Sequence, residues 1–430
     1  MPSRSARRPS FLGIALAAVG LLLAPAVPAV AAPVVTAPPA THDGLSAASS
    51  VAHSGSGGAP AGTENRSAAD IPADVTAGVA VFDRVTGRLT ESLQADRAFR
   101  SASVVKLLLA LDFLWDRGPD HDLPQADRER IGVMLSSSDD AAANHYWSTG
   151  GGSAVVSRMV PRLGLTGTAP PPSGYPGYWG YTATTAADTV RVYRYLLDEA
   201  PAPVRDLVMG ALHRSTRCAT DGFDQGFGLP SAFDGPGAVK QGWSGFTSGG
   251  CVASGTPGTA RGAAPDSGSA PTPAPASASA SASAGVSAPA VDLTSEALHT
   301  TGTVGPDDRS VVAVLTLHPD GTPYGTAYSK VTALAGSLNV PGAVRPSGTR
   351  FTTWGSGVRV RASATTSSAA LTTLPAGVDV LVGCQQQGGQ VSVPPYVNDW
   401  WAYLPQYGGW ITNIYLSSPG DTLPGVSRCS

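Results

Sequence analysis

Two long tracts of small residues limit this chain before anything else does. Residues 32–71 and 255–290 are dominated by Ala, Ser, Gly and Pro, the second around the run PTPAPASASASASAG. Segments with so few bulky side chains bury too little to offset the entropy of ordering them, so both are expected to be disordered. The folded mass must then lie between the tracts and beyond the second. That second tract reads as an insertion within a domain, because strand-like sequence resumes at Leu298. A long surface insertion adds little loop-closure cost, which makes such an interruption tolerable.

Upstream of the first tract, Arg4, Arg7 and Arg8 precede an apolar run over residues 11–26, followed by the small-x-small sequence Ala29-Val30-Ala31. This is the pattern of a secretory signal peptide over 1–31, and Pro25 and Pro28 argue against a stable spanning helix. A secreted, extracellular or wall-associated protein is expected, with no stable transmembrane segment once the signal is removed. Four cysteines allow three connectivities. Export to an oxidising space favours pairing within each region, Cys218 with Cys251 and Cys384 with Cys429. No Cys-x-x-Cys or tight His/Cys cluster occurs, so neither a metal nor another cofactor is expected. With 28 basic residues against 31 acidic ones and no Lys/Arg stripe, a nucleic-acid partner is excluded.

Residues 75–84 and the segment resuming near Leu89 read as an antiparallel hairpin around Thr86-Gly87. Residues 103–116 are apolar almost all round, which suits a helix buried at the centre of a domain. Helical periodicity returns over 129–135, 139–146, 153–163, 186–197 and 324–338, and strand character over 237–242, 298–304 and 310–317. Strands from both ends with helices between them predict an α+β, three-layer architecture: one antiparallel sheet with a helical lobe inserted. This domain is expected over 72–340, followed by a linker over 341–353. From Trp354 to the end at residue 430, short β-rich segments spaced by turn residues predict one small all-β barrel.

The chemistry is expected around the lysines, of which there are only three: Lys106, Lys240 and Lys330. Ser103 and Lys106 lie three apart at the start of the buried helix, on one face. A serine hydroxyl is a poor nucleophile until a base takes its proton, and a lysine does so only if burial or nearby positive charge lowers its pKa. Further along, Met134-Leu135-Ser136-Ser137-Ser138-Asp139-Asp140 places a serine and two acids beside a helix. Later still, Val239-Lys240-Gln241-Gly242-Trp243-Ser244 combines a lysine, a small glycine and a hydroxyl on one strand. Three motifs in this order resemble the Ser-x-x-Lys, Ser-Asp-Asn and Lys-Thr-Gly signature of the penicillin-recognising serine enzymes, specifically the class A β-lactamases. The framing residues Ala142-Ala143-Asn144 and Tyr181-Thr182-Ala183-Thr184-Thr185 are similar to that family as well.

The resemblance implies a β-lactamase/transpeptidase-like fold and a set of roles. Ser103 would be acylated, with Lys106 as general base or proton relay. Ser138 would pass a proton toward the leaving nitrogen, and Lys240 would keep the site positive and attract a substrate carboxylate. The backbone N–H groups of Ser103 and Trp243 would form the oxyanion hole. Asp140, Gln241, Gly242, Ser244 and Thr247 would contact the substrate, a cell-wall D-alanyl peptide or a β-lactam.

Three departures set the chain apart from that pattern. Asp140 stands where the family has asparagine, and lacks the amide donor. Gln241 replaces a compact hydroxyl. Between Asn144 and Tyr181 there is no Asp or Glu at all, whereas the family carries there the glutamate that activates the deacylating water. The next acid downstream, Asp188, is expected to be an exposed cap in the first turn of a helix. Slow acyl-enzyme release follows, or, as the rival, a degenerate non-catalytic wall-associated protein. A Ser-His-Asp triad using His145, His299 or His318 lacks a nucleophile elbow, and Asp139 with Asp140 as a glycosidase pair would point in different directions.

Residues 354–417 resemble a bacterial SH3 domain, on Val358-Arg359-Val360-Arg361, Pro375-Ala376-Gly377, Trp401-Ala402-Tyr403-Leu404 and Gly409-Trp410-Ile411 with Tyr415-Leu416. That resemblance implies peptidoglycan binding. Trp400, Tyr407 and Trp410 are the expected aromatic groove, with Trp401 and Trp410 as alternative core fillers.

Overall fold

The computed structural model describes residues 71–117, 122–235, 237–246, 249, 251, 290–374 and 376–430. The expected signal peptide, the first tract, Thr247, Pro375 and residues 255–289 lie outside the described residues.

The first half of the described chain builds one antiparallel sheet and a set of helices. Strands β1 (Thr76–Asp83), β2 (Arg88–Leu93) and the short β3 (Phe99–Arg100) lead into helices α1 (Lys106–Leu114), α2 (Gln125–Ser136), α3 (Asp140–Thr149) and α4 (Ala154–Arg162). After β4 (Ala183–Thr184) come α5 (Ala186–Arg194), α6 (Ala202–His213) and the one-turn α7 (Leu229–Ala232), then β5 (Val239–Ser244), β6 (Glu296–Val304), β7 (Ser310–His318) and α8 (Tyr324–Ser337). The sheet runs β2-β1-β7-β6-β5, so strands from the two ends of this half meet at its centre. The 255–290 tract falls in the β5–β6 connection, beside the paired residues Ser244 and Ala297.

The sheet is apolar on both sides, which is why β1 and β7 read as unbroken apolar runs. Strand alternation sends Ala80, Phe82, Val311, Ala313 and Leu315 to the face covered by α1 and α5. Val79, Val81, Leu298, Val312 and Val314 go to the opposite face, against Tyr328, Val331 and Leu334 of α8. Helix α6 begins at an Ala-Pro-Ala-Pro sequence, which resembles linker composition. Proline is favoured in a first helical turn, where its missing N–H is not needed.

The C-terminal residues form a five-stranded antiparallel sheet and a two-stranded one. The strands are β8 (Thr349–Thr352), β9 (Val358–Arg361), β10 (Ala370–Leu374), β11 (Asp379–Val382), β12 (Cys384–Val393), β13 (Tyr396–Leu404) and β14 (Gly409–Thr412). Among the described residues the pairings β10-β9-β14-β13-β12 and β11-β8 do not close into the barrel that the sequence predicts. Strand β8 falls within the stretch expected to be a linker.

These strands share an apolar core with α8 and α7: Val358, Val380, Ala402 and Leu404 belong to the same cluster as Tyr324 and Val331. Polar contacts seal the junction. Tyr328 and Tyr407 hydroxyls lie 3.0 Å apart, Ser329 Oγ donates to Gly377 O at 2.8 Å, and Asp379 N donates to Ser329 Oγ at 2.8 Å. A Cβ on Gly325 would overlap Ala376 O, so this helix position needs glycine for the close approach. Both expected disulfides are present, Cys218–Cys251 and Cys384–Cys429. No described helix is long and apolar enough to cross a membrane.

Candidate active site

A tight turn delivers Ser103. Ala102 adopts a left-handed conformation (φ 44°), which is strained for a residue with a Cβ, and the 3-10 turn Ala102–Val105 then runs straight into α1. Ser103 is therefore carried at the mouth of the helix and Lys106 opens it. Gly242 lets β5 pass close to this turn: a Cβ there would lie 3.1 Å from both Ser101 O and Val104 Cγ2.

Ser138 is left-handed as well (φ 54°), at the α2–α3 junction, where Asp139 caps α3 by accepting from Ala142 N at 2.7 Å. This conformation turns both oxygens of Ser138 toward Lys106, whose Nζ donates to Ser138 O at 2.7 Å and to Ser138 Oγ at 3.2 Å. From the sheet side, Lys240 Nζ donates to the same hydroxyl at 2.9 Å and to Gln241 O at 2.9 Å. Three motifs spread over more than a hundred residues thus converge on Ser138 Oγ.

Charge at this centre is confined. Lys106 and Lys240 are both fully buried. Burial lowers the Lys106 pKa while Asp140 opposes that shift, its Oδ1 lying 2.6 Å from Nζ. Burial pushes Lys240 further down, and the Lys106 charge adds to the effect. The Lys106 ammonium also lies 4.8 Å from the centre of the Trp179 ring. Trp179 is held in turn by its Nε1, which donates to Asn144 Oδ1 at 2.8 Å.

A narrow cleft of about 360 Å³ opens at this point, lined by Ala102, Ser103, Asp140, Trp179, Gly180, Tyr181, Asp221, Trp243 and Ser244. Ser103 is only 6% exposed, and its hydroxyl makes no hydrogen bond among the described residues. Of the residues expected here, Ser103, Asp140, Trp243 and Ser244 line the cleft, and Lys106, Ser138, Lys240 and Gly242 stand directly behind it. Gln241 differs from expectation. Strand alternation sends it to the other side of β5, where Nε2 donates to Gln225 O at 2.9 Å and Phe227 O at 2.6 Å.

Asp221 is a lining residue that the sequence reading missed. It is solvent-exposed at the mouth, accepting from Phe223 N at 2.9 Å and Trp243 Nε1 at 3.2 Å. Crowding in the cleft raises its pKa, and the Asp140 charge adds to the rise. No motif marks this residue. Its one sequence signal is proximity to Cys218, whose disulfide with Cys251 ties the 218–225 loop to the segment after β5.

Asp188 overturns a second expectation. It is fully buried rather than an exposed cap, accepting from Thr166 N at 3.0 Å, Gly167 N at 2.8 Å and Thr168 Oγ1 at 2.8 Å. It anchors the start of the proline-rich loop to α5. Among the described residues no histidine forms a triad. His145 is exposed on α3, while His299 is buried in β6 with Nε2 2.8 Å from Arg100 O and Nδ1 accepting from Thr316 N at 3.1 Å. Burial lowers the His299 pKa to about 3 and that of His318 to about 4.

The three aromatic residues expected to form a groove in the C-terminal part do not share one surface. Tyr407 packs inward under the Arg217 guanidinium, 3.9 Å from its ring centre. Trp410 lies on Tyr403 and Trp400 faces Arg428. Trp401 is core. The exposed aromatics are instead Trp354 and Tyr396, 5.9 Å apart, on a separate cleft with Asn398 and Asn413.

No protein-family model matches this chain. Its sequence is 37% identical over 173 residues to the Mycobacterium tuberculosis protein named "Putative lipoprotein LppW", and equally to the Mycobacterium bovis protein of that name. Those matches cover 39% of this chain and 54% of the relative, so the chain spans about half the length of the curated relatives it matches. Among solved structures, the chain is similar to the β-lactamase of Streptomyces albus G, with 19% identity, TM-score 0.39, and coverage of 62% of this chain and 95% of that one. It is similar to PBP-A as well, with 17% identity, TM-score 0.41, and coverage of 63% and 90%. For a class A β-lactamase from Mycobacterium abscessus the identity is 17%, the TM-score 0.38, and the coverage 61% and 92%.

Proposed function

We propose that this protein is an exported serine acyl-transfer enzyme of the penicillin-recognising type, which acylates Ser103 with a cell-wall peptide and releases the acyl group slowly. The observation that carries this reading is the shared hydroxyl of Ser138, bound by Lys106 from one side and Lys240 from the other, beside an unpartnered Ser103 hydroxyl in the same cleft.

In the proposed step, the Ser103 Oγ–H bond breaks as Oγ adds to the acyl carbonyl. Lys106 takes the proton, in its neutral form, directly or through Ser138. The developing oxyanion is met by the Ser103 and Trp243 backbone N–H groups. As the carbonyl re-forms, the C–N bond breaks and the proton passes through Ser138 to the leaving nitrogen. Ester hydrolysis then needs a base for water, and no Asp or Glu lies between Asn144 and Tyr181. Slow release is the consequence.

The Lys106–Asp140 pair favours the rival reading, a degenerate non-catalytic protein of the wall, because a carboxylate at 2.6 Å stabilises the protonated amine. Two disulfides fit an extracytoplasmic location, in keeping with the signal-like N-terminus. The C-terminal strands carry SH3-like motifs, and peptidoglycan binding is their assigned role.

Intact-mass spectrometry decides between the readings. The folded chain is incubated with an N-acyl-D-alanyl thioester and, separately, with a labelled penicillin. An adduct that disappears in Ser103→Ala supports the enzyme. No adduct from either donor, in protein shown to be folded by circular dichroism, overturns it. Peptidoglycan pull-down of the full chain tests the C-terminal role, and loss of retention in Trp354→Ala/Tyr396→Ala would locate it.

A further inference from the structure

The cleft beside Ser103 presents negative charge to whatever enters it. Both lysines of the site are fully buried behind Ser138, and each spends its donors on protein oxygens. Among the described lining residues there is no Lys, Arg or His, but there are two carboxylates, Asp140 and Asp221. Their situations differ. Asp140 is paired with Lys106 at 2.6 Å. Asp221 accepts hydrogen bonds only from neutral donors, Phe223 N and Trp243 Nε1, and makes no ion pair, the buried Lys106 acting on it only through space.

The position of that charge matters. The indole N–H of Trp243, on β5, holds Asp221 at the β5 side of the cleft, next to Ser244. This is the side where a leaving group would lie once Ser103 and the Trp243 backbone hold the acyl carbonyl. Gln241 offers no donor to a carboxylate there, because its amide is committed to Gln225 O and Phe227 O. Trp179, Tyr181 and Trp243 complete the lining and add no cation to it, their rings meeting Lys106, Tyr178 and Phe223 respectively. The buried, unpartnered Ser103 hydroxyl in the same cleft marks this as a place where a ligand group is met.

We propose that this cleft selects acyl donors whose leaving group ends in an amide or an ammonium over those ending in a free carboxylate, with Asp221 as the specificity determinant. The proposal rests on Ser103 acylation for its kinetic readout. It narrows the substrate class to amidated or amine-bearing peptides, and makes carboxylate-terminated peptides and penicillins poor donors.

Three thioesters with the same N-acyl-D-alanyl group test this, their leaving thiols being mercaptoacetate, mercaptoacetamide and thiocholine. In each, the Ser103 Oγ–C bond forms, the C–S bond breaks, and the serine proton goes to the thiol. Adduct formation on the full chain is followed by intact mass at low and high salt. The amide and ammonium donors are expected to react about tenfold faster than the acid, the size of one charge contact near a protein surface. That ratio should shrink with ionic strength and narrow in Asp221→Asn. An acid donor that reacts as fast as the others, or a ratio unmoved by Asp221→Asn, overturns the proposal. If no thioester acylates the folded chain, the serine reading fails on its own. The charge preference is then read from tryptophan quenching when the same thioesters bind Ser103→Ala. Weakest binding by the acid upholds it, whereas tightest or equal binding by the acid, or no binding at all, overturns it.

Discussion

Lys106 Nζ lies 2.6 Å from Asp140 Oδ1, at the position where the resemblance leads one to expect an amide. That contact stabilises the protonated lysine in a site whose proposed chemistry needs the neutral one. Asp140→Asn removes the opposing charge while keeping an acceptor for Nζ. The Lys106 pKa should fall further, since the strongest opposition to burial is then gone and only Asp221 and Asp139 still favour the charged form. Acylation near neutral pH is expected to rise about tenfold, the size of one unit of pKa in the fraction of neutral amine, and its pH profile should move to lower pH. A rate profile unchanged between wild type and Asp140→Asn would remove Asp140 from the control of this lysine.

His299 sets an acid limit on stability. Buried between Arg100 O and Thr316 N, it is held neutral with a pKa of about 3, against 6.5 when exposed. The unfolded chain therefore binds a proton that the folded chain refuses between these values. Stability from this group is complete above pH 6.5 and is lost progressively as pH falls toward 3, by about 5 kcal/mol in all. The urea midpoint should drop between pH 7 and pH 4, and His299→Gln should show a smaller drop. Equal slopes in the two proteins would assign the acid sensitivity elsewhere.

The two disulfides should separate in their effects. Cys218–Cys251 holds the Asp221 loop against the segment after β5, whereas Cys384–Cys429 closes the C-terminal strands. Each closes a loop worth about 3–4 kcal/mol in chain entropy. Cys218→Ser/Cys251→Ser should additionally abolish the difference between the acid and amide thioesters, and Cys384→Ser/Cys429→Ser should leave it intact. Calorimetry with the adduct assay reads both quantities.

Arg217 joins the two halves of the described chain. Its Nη2 donates to buried Asp224 at 3.0 Å and to Tyr328 OH at 3.2 Å, and its guanidinium stacks over Tyr407. Arg217→Met would leave Asp224 buried without a cation, a cost of about 3–5 kcal/mol. Adding Asp224→Asn should recover much of that loss. A double variant no more stable than the single one in thermal melts would refute the pairing as the source.

Several elements were legible because their signal is local. Residues 103–116 have no polar face, and α1 is buried accordingly. The turn at Thr86-Gly87 joins β1 to β2 as expected. Helix α6 was not legible, since its proline-bearing first turn has the composition of a linker. Asp188 was misread for a related reason: a first-turn acid is normally solvated, and only the return of Thr166–Thr168 onto α5 buries it. The groove of Trp400, Tyr407 and Trp410 failed because strand spacing says which residues alternate, but not which face a neighbouring helix covers.

The sequence by itself determined most of the order of elements and the three motifs of the site, and favoured one cysteine pairing of three, because hydrophobic period, glycine placement and residue identity are local properties. Tertiary structure alone decided which groups share a hydroxyl and which charges line the cleft. Burial, hydrogen bonding and charge pairing arise between residues far apart in the chain. Asp221 opposes an incoming carboxylate only because a loop closed by Cys218–Cys251 sets it against the indole of Trp243.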